Sequence, residues 1–432
     1  MRQPNGQFII GGNFTELNGQ PVHRMVRLTT TGALDAGFTA AVGVLPAPVS
    51  CLALQPDGKV LAGTAQGTFR FAPSGNPDPS FSSALAATVL AIQADGNIVV
   101  GGGFTFTAGG ATYSRLVRLT STGAVDPSFT RNTTGAWTPS TTDAILLQPN
   151  GRILVAGTFL PPGQPVVTRV VRYEVNGTLD ATFNNNLAFT NANGSTSSTN
   201  RIFALALQPD DKILVGGNFG AVDGTFHPQL VRFDPNGVLD ATFGSISTLS
   251  GSVFSIALQP NGRILLGGNF VNTGSGSAGT LNNLARVLDN GQTDASFSTS
   301  TIPNDIVRAI LVQPDGAIVL AGNFLTIGGQ SAVGVARIIA ANVLQISEPV
   351  KTPEAKIYVW PVPTNSVLHV ALAAGEHALY YELLDLLGRS VRFQTTTNEP
   401  DFQINVSNLP ASSYLLRIRL SGSIVTHRIL VQ

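Results

Sequence analysis

Short runs of Val, Ile and Leu alternate with turn residues along most of the chain, as in FALALQPDDKILVGGNF (203–219) and LVRFDPNGVLDATF (230–243). Runs of this kind, ended by Gly, Pro, Asn and Asp, predict β-strands joined as hairpins. The pattern recurs. The tag Q-P-[DN]-G and its variants begin at Gln3, Gln55, Gln93, Gln148, Gln208, Gln259 and Gln313, with spacings between 38 and 60 residues. Q-P-D-G suits a type I turn with Pro at its first central position and Gly at positive φ in the bulge that follows. Asp211 takes the place of that Gly in the fifth repeat, and Asp tolerates the left-handed region better than most residues. Two hairpins per repeat make four strands in about fifty residues, the size of a propeller blade. The pattern thus predicts an all-β fold, a seven-repeat β-propeller of four-stranded blades over residues 1–346.

Spacing inside the repeats is rigid. Eleven residues after the tag Gln comes Phe14, Phe104, Phe159, Phe219, Phe270 or Phe324; only the second repeat departs, with Gly63-Thr64-Ala65 nearby. The second hairpin carries Arg27, Arg70, Arg118, Arg172, Arg232, Arg286 and Arg337. Eight residues on stand Asp35, Asp78, Asp126, Asp180, Asp240 and Asp294, with Gln345 in the seventh repeat, and three further on Phe38, Phe81, Phe129, Phe183, Phe243 and Phe297. In an antiparallel hairpin centred on Thr31, Arg27 and Asp35 lie opposite each other on one face. Six carboxylates in a ring could bind metal. A cation at a fixed offset from each favours an ion pair that locks the blade, so no metal or cofactor is expected. The Phe residues read as packing between blades, with sugar platforms as the alternative.

The first repeat has only Met1 and Arg2 where the others carry an apolar strand before the tag, such as CLALQ, VLAIQ or SIALQ. It is expected to lack one strand and to expose a sheet edge, which residues upstream of this sequence would supply. MRQPNGQFIIGGNF has no basic stretch followed by a long apolar run, so it is not a secretory signal peptide.

Beyond the repeats the character changes. SEPVKTPEAK (347–356), with two prolines and four charges, reads as a linker. Residues 357–432 alternate as short strands, among them VLHVAL, SVRFQT, FQINV and SYLLRIRL, and predict a small antiparallel β-sandwich.

The combination A-L-Q-P-D-G-K-I-L-V-G-G-x-F followed by V-R-L-x-x-x-G-x-L-D-x-x-F resembles the delta-60 repeat of bacterial surface and secreted proteins. That resemblance implies a propeller-like fold with no general catalytic motif. The last segment resembles the C-terminal sorting domain of type IX secretion (the Por secretion system, type A). The features that carry it are Trp360-Pro361-Val362-Pro363, Leu384-Asp385-Leu386-Leu387-Gly388-Arg389, Leu409 to Leu416, and Thr426 to Val431. Val362 stands where the family has Asn, and Ser412-Ser413 where it has Gly. Gly388, Arg389, Tyr414 and Arg428 carry over with Pro361 and Pro363 as the sorting motif. The resemblance implies export through the type IX machinery as partner, and a protein secreted or attached to the outer cell surface.

Composition narrows the remaining chemistry. Lys+Arg and Asp+Glu number 25 each, and only 12% of residues are charged, so no clustered basic surface points to nucleic acid. The uncharged stretch Ala36 to Pro56 is broken by Pro46 and Pro48 and is no transmembrane segment. Cys51 is the one cysteine, which excludes an intrachain disulfide, and it reads as a buried thiol. The five histidines are scattered, and no H-E-x-x-H or G-x-S-x-G is present. Residues 274–279 match G-x-G-x-x-G but lack the strand–turn–helix context of a nucleotide site. Three classes remain. The leading one is a non-catalytic binding or adhesion module for an extracellular glycan or protein. The alternatives are a polymer-degrading enzyme with its site in the funnel, and a passive segment of a larger surface protein.

Overall fold

A computed structural model describes residues 1–17, 20–81, 83–129, 138–160, 167–196, 199–246, 249–272, 282–297, 302–338, 358–360, 364–372, 377–384, 390–395, 401–410, 412–420 and 424–431. The chain forms two compact units, residues 1–344 and 345–432. Among the described residues no helix is long and apolar enough to cross a membrane.

The first unit is built from antiparallel blades. The second blade shows the plan: an inner strand Val49–Leu54 pairs with a middle strand Val60–Thr64, which pairs with an outer strand Gly67–Phe71. The tag forms the inner-to-middle turn. Its glycines have positive φ, as at Gly58 (83°), and Asp211 adopts 63° in the fifth repeat. Middle strands are apolar on both faces because they are covered on both sides; Ile213, Leu214 and Val215 are all fully buried. The inner strands Val49–Leu54, Val89–Ile92, Ala144–Leu147, Arg201–Leu207, Val253–Leu258 and Val307–Val312 stand beside one another in that order and line the axis of the ring. The seventh blade meets the first through Leu311, Val319 and Val335, which pack on Phe8, Val26 and Leu28.

In the six blades where it is described, the fourth strand is shorter than the repeat pattern predicts. It is reduced to a single bridge, such as Phe71↔Pro77, Tyr173↔Leu179 or Phe233↔Leu239. Directly after the bridge the Asp that stands eight residues past the Arg turns the chain. Its carboxylate accepts from the amide and hydroxyl of the Ser or Thr two residues on, as Asp180 does from Thr182 at 2.8 and 2.6 Å. The first repeat has Gly37 there and no hydroxyl, and Asp35 instead caps a helix, Ala36–Val42, by accepting from the Phe38 amide. The repeat spacing does not predict that helix. Among the described residues the ladder of the first blade consists of Phe8–Gly11 and Met25–Leu28 with the bridge Leu28↔Leu34, and Met1 and Arg2 stand at the end of its inner position.

In the longest repeat, Phe189–Thr190 pairs with Thr168 of the fourth blade and with Ala221–Val222 of the fifth, stitching the two together.

The second unit has two sheets. Tyr358–Trp360, Val367–Ala371 and Asp401–Asn405 form one; Ser390–Thr395, Ala378–Leu384, Ser412–Leu420 and Ile424–Val431 form the other. Leu368, Val370 and Ile404 from the first share one core with Tyr381, Leu383, Leu416, Ile418 and Ile429 from the second, which makes a sandwich.

Candidate functional site

The repeated arginines are structural hubs. In six blades the Arg Nε donates to its own Asp at 2.6–2.9 Å: Arg27–Asp35, Arg70–Asp78, Arg118–Asp126, Arg172–Asp180, Arg232–Asp240 and Arg286–Asp294. The guanidinium lies over the ring of Phe38, Phe81, Phe129, Phe183, Phe243 or Phe297, 4.3–4.9 Å from its centre. Nη1 then crosses to the next blade. Arg27 reaches the Pro73 carbonyl, Arg70 that of Ser121, Arg118 that of Val175, Arg172 that of Pro235 and Arg232 that of Asp289. One planar fork thus ties its own turn and its neighbour's turn together, which a lysine cannot do.

The tag glutamines are buried beside these arginines; Gln208 Oε1 accepts from Arg232 at 3.2 Å. A second cation comes from the residue after the tag: Lys59, Arg152, Lys212 and Arg263 approach Asp78, Asp180, Asp240 and Asp294. These carboxylates are saturated by cations and hydroxyls, and among the described residues no cluster suited to a metal ion occurs. In the seventh blade Arg337 donates to Gln313 and Asp315, and Gln345 lies outside the described residues, as does 274–279.

Two pH windows follow. Burial alone would raise the Asp240 carboxyl, but the Thr242 hydroxyl and amide and the Arg232 charge outweigh it and hold it at about 2. Asp294 is likewise held at about 2 against burial, by Ser296, Arg263 and Arg286. Folded-state values below the unfolded value of about 4 give stability that is full above it and lost as pH falls toward 2. His227 is buried, its Nδ1 has no hydrogen-bond partner, and burial lowers its pKa. Below about pH 6.5 the unfolded chain therefore takes up a proton that the folded chain resists. Melting temperature should fall in two steps, below about pH 6.5 and again below about pH 4. His227→Gln should flatten only the first; a melting temperature constant across this range would contradict both assignments.

Cys51 is half-buried rather than fully enclosed, and the burial it has pushes its thiol up to about 12, which leaves it unreactive.

A different set of residues faces the ring axis. In the second, fifth, sixth and seventh blades the inner strand is bulged near its start, where the register shifts between Val49 and Cys51, Ile202 and Ala204, Val253 and Ser255, and Val307 and Ala309. The extra residues are Ser50, Phe203, Phe254 and Arg308, each five positions before its tag Gln. A bulge re-aims its extra side chain out of the ladder. Phe203 and Phe254 meet edge to face with centres 5.0 Å apart. Arg201 lies over Phe203 at 5.6 Å and Arg308 over Phe254 at 4.8 Å. Arg201 is neutralised by two hydrogen bonds to buried Asp143 of the fourth blade. Arg308 is exposed and makes no ion pair among the described residues. The ladder Asp143–Arg201–Phe203–Phe254–Arg308 therefore ends in one uncompensated guanidinium at the mouth of the channel.

In the second unit Tyr414 is buried and its hydroxyl donates to the Pro410 carbonyl at 2.8 Å. Arg428 sits on the last strand opposite Leu415. Pro361, Pro363, Gly388 and Arg389 lie outside the described residues.

Residues 3–38, 55–81, 93–129, 148–183, 208–243, 259–297 and 313–338 match the family described as domain of unknown function (DUF5122) beta-propeller. Residues 358–432 match the secretion system C-terminal sorting domain. No curated protein matches the chain. Among solved structures it is similar to PorZ, a bacterial surface component of the type-IX secretion system of Porphyromonas gingivalis, at 14% identity and a TM-score of 0.43 over 100% of this chain and 59% of that one. The chain thus spans about 59% of the length of that structure. It is also similar to the gluconolactonase XC5397 of Xanthomonas campestris, at 9% identity and a TM-score of 0.38 over 73% of this chain and 94% of that one. The sorting domain implies the type IX secretion machinery as partner and marks the protein for secretion and cell-surface attachment. The chain belongs to the DUF5122 β-propeller family and ends in a type IX sorting domain.

Proposed function

We propose that the propeller is a non-catalytic binding module on the outer cell surface, and that it holds an anionic group of an extracellular glycan or protein at the channel mouth. The observation that carries this reading is Arg308, stacked on Phe254 at 4.8 Å with no carboxylate beside it among the described residues. Stacking fixes the plane of a guanidinium and leaves its in-plane N–H groups free for bidentate contact with a carboxylate, sulfate or phosphate. The carboxylates of the repeat hubs are taken up by arginine, so they supply neither a free acid nor a free base. The purified chain should bind acidic members of a combined glycan and protein array, less tightly as salt rises, and leave them intact. Binding confined to neutral ligands, or turnover of a bound polymer, would contradict this reading.

A further inference from the structure

The end of the ring that holds the channel mouth also carries a rim of exposed apolar side chains. Each inner strand begins where its middle strand ends, as Val253 pairs with Gly268 and Val307 with Gly322. Phe203, Phe254 and Arg308, which touch one another across three blades, therefore share one end of those blades with the connections that leave the middle strands. Leu160 closes the middle strand of the fourth blade, and Val271 and Leu325 stand directly after Phe270 and Phe324 in the sixth and seventh. Phe226 and Val333 lie on the way back to the outer strands of the fifth and seventh. All five are 45–61% exposed. At the opposite end the tag turns present Asp, Asn, Lys and Arg, with Val175 and Val238 exposed among them.

The chemistry of this rim selects its occupant. Valine and leucine offer no donor or acceptor, so a glycan seated on them would lose the water on its hydroxyls without replacement. A lipid surface is held by clustered cations, whereas this chain has zero net charge and one uncompensated guanidinium at the mouth. Exposed large apolar side chains beside a stacked arginine are what a protein interface presents, and charge complementarity sets a carboxylate of the partner on Arg308. The rim spans four consecutive blades, which suits an extended segment more than a point contact. Resting on the reading of Arg308 as the anion holder, we propose that the ligand is a protein whose docked segment sets an Asp or Glu on Arg308 and apolar side chains on Leu160, Phe226, Val271 and Leu325.

The probes are short peptides with one central Glu among Leu, Ile or Phe residues, their Gln counterparts, uronate and sulfate oligosaccharides, and vesicles of phosphatidylglycerol with phosphatidylcholine. The chain should bind Glu peptides, and bind the Gln forms at least about tenfold more weakly. Leu160→Ser combined with Leu325→Ser changes two exposed positions, so this variant should melt with the parent and bind the Glu peptides about tenfold more weakly. Parent-like peptide affinity in the double variant would overturn the rim and leave Arg308 in its role. Equal affinity for Glu and Gln peptides would instead overturn Arg308 as the anion holder. Binding of oligosaccharides or vesicles alone, or of no peptide, would overturn the protein partner. A parent dimer in sedimentation that the double variant dissociates would give the face to a second copy of the chain, and overturn it equally.

Discussion

Replacing Arg172 with alanine is expected to destabilise the propeller by about 3–5 kcal/mol, the cost of leaving a buried charge without its partner. The Asp180 side chain is 1% exposed, and Arg172 approaches it at 2.6 Å. The variant also removes the donor to the Pro235 carbonyl on the next blade and the cation over Phe183. Arg152, at 3.5 Å and on the rim, recovers only part of the loss. Arg172→Lys should still cost about 2 kcal/mol, because an ammonium cannot meet the carboxylate, the Thr182 hydroxyl and the neighbouring carbonyl together. Denaturant unfolding monitored by far-ultraviolet circular dichroism measures both. A loss under about 1 kcal/mol for Arg172→Ala would show that the hubs do not hold the ring.

Gly217→Ala is the second large effect, at about 3 kcal/mol, the upper end of overpacking costs. A Cβ on Gly217 would overlap the Arg201 carbonyl oxygen and lie 2.9 Å from the Ile202 Cα, and backbone atoms cannot rotate away. The strain falls on the bulge that carries Phe203, so ligand affinity at the mouth should drop together with stability. Thermal unfolding and a binding titration of the same variant measure the pair. A stable variant with unaltered binding would show that the bulge is not set by this close approach.

What the chain makes legible depends on whether the cause is local. An Arg eight residues before an Asp in a hairpin must face it, and the pairs lie opposite, with Leu28↔Leu34 beside Arg27 and Asp35. The reach of that Arg to the following blade depends on ring geometry, which no spacing within a repeat encodes. The Gly pair is visible as a motif, but its cause is the inner-strand carbonyl pressed against the second glycine, as at Gly217. The helix Ala36–Val42 follows from one exchange, Gly37 for the usual Ser or Thr, too small a change to read before the Asp turn is seen. The second cation on four of the Asp residues, as at Lys59 or Arg263, stands directly after the tag, where no spacing within a hairpin shows which carboxylate it reaches. The channel mouth escaped because its positions have no residue type in common across the blades, only Phe203 and Phe254 being alike among Ser50, Thr88, Asp143, Phe203, Phe254 and Arg308. Variation at one fixed offset within otherwise regular repeats is the signal that could have found it, since a rigid frame carries function where it varies.

Hubs hold the ring, and a separate mouth binds. Isothermal titration of an acidic array ligand against the chain and its Arg308→Ala variant tests this most directly. Arg308 is exposed and outside every hub, so the variant should melt with the parent while binding about 10–100-fold more weakly, the loss of a charge-assisted contact. Parent-like affinity in Arg308→Ala would contradict the account.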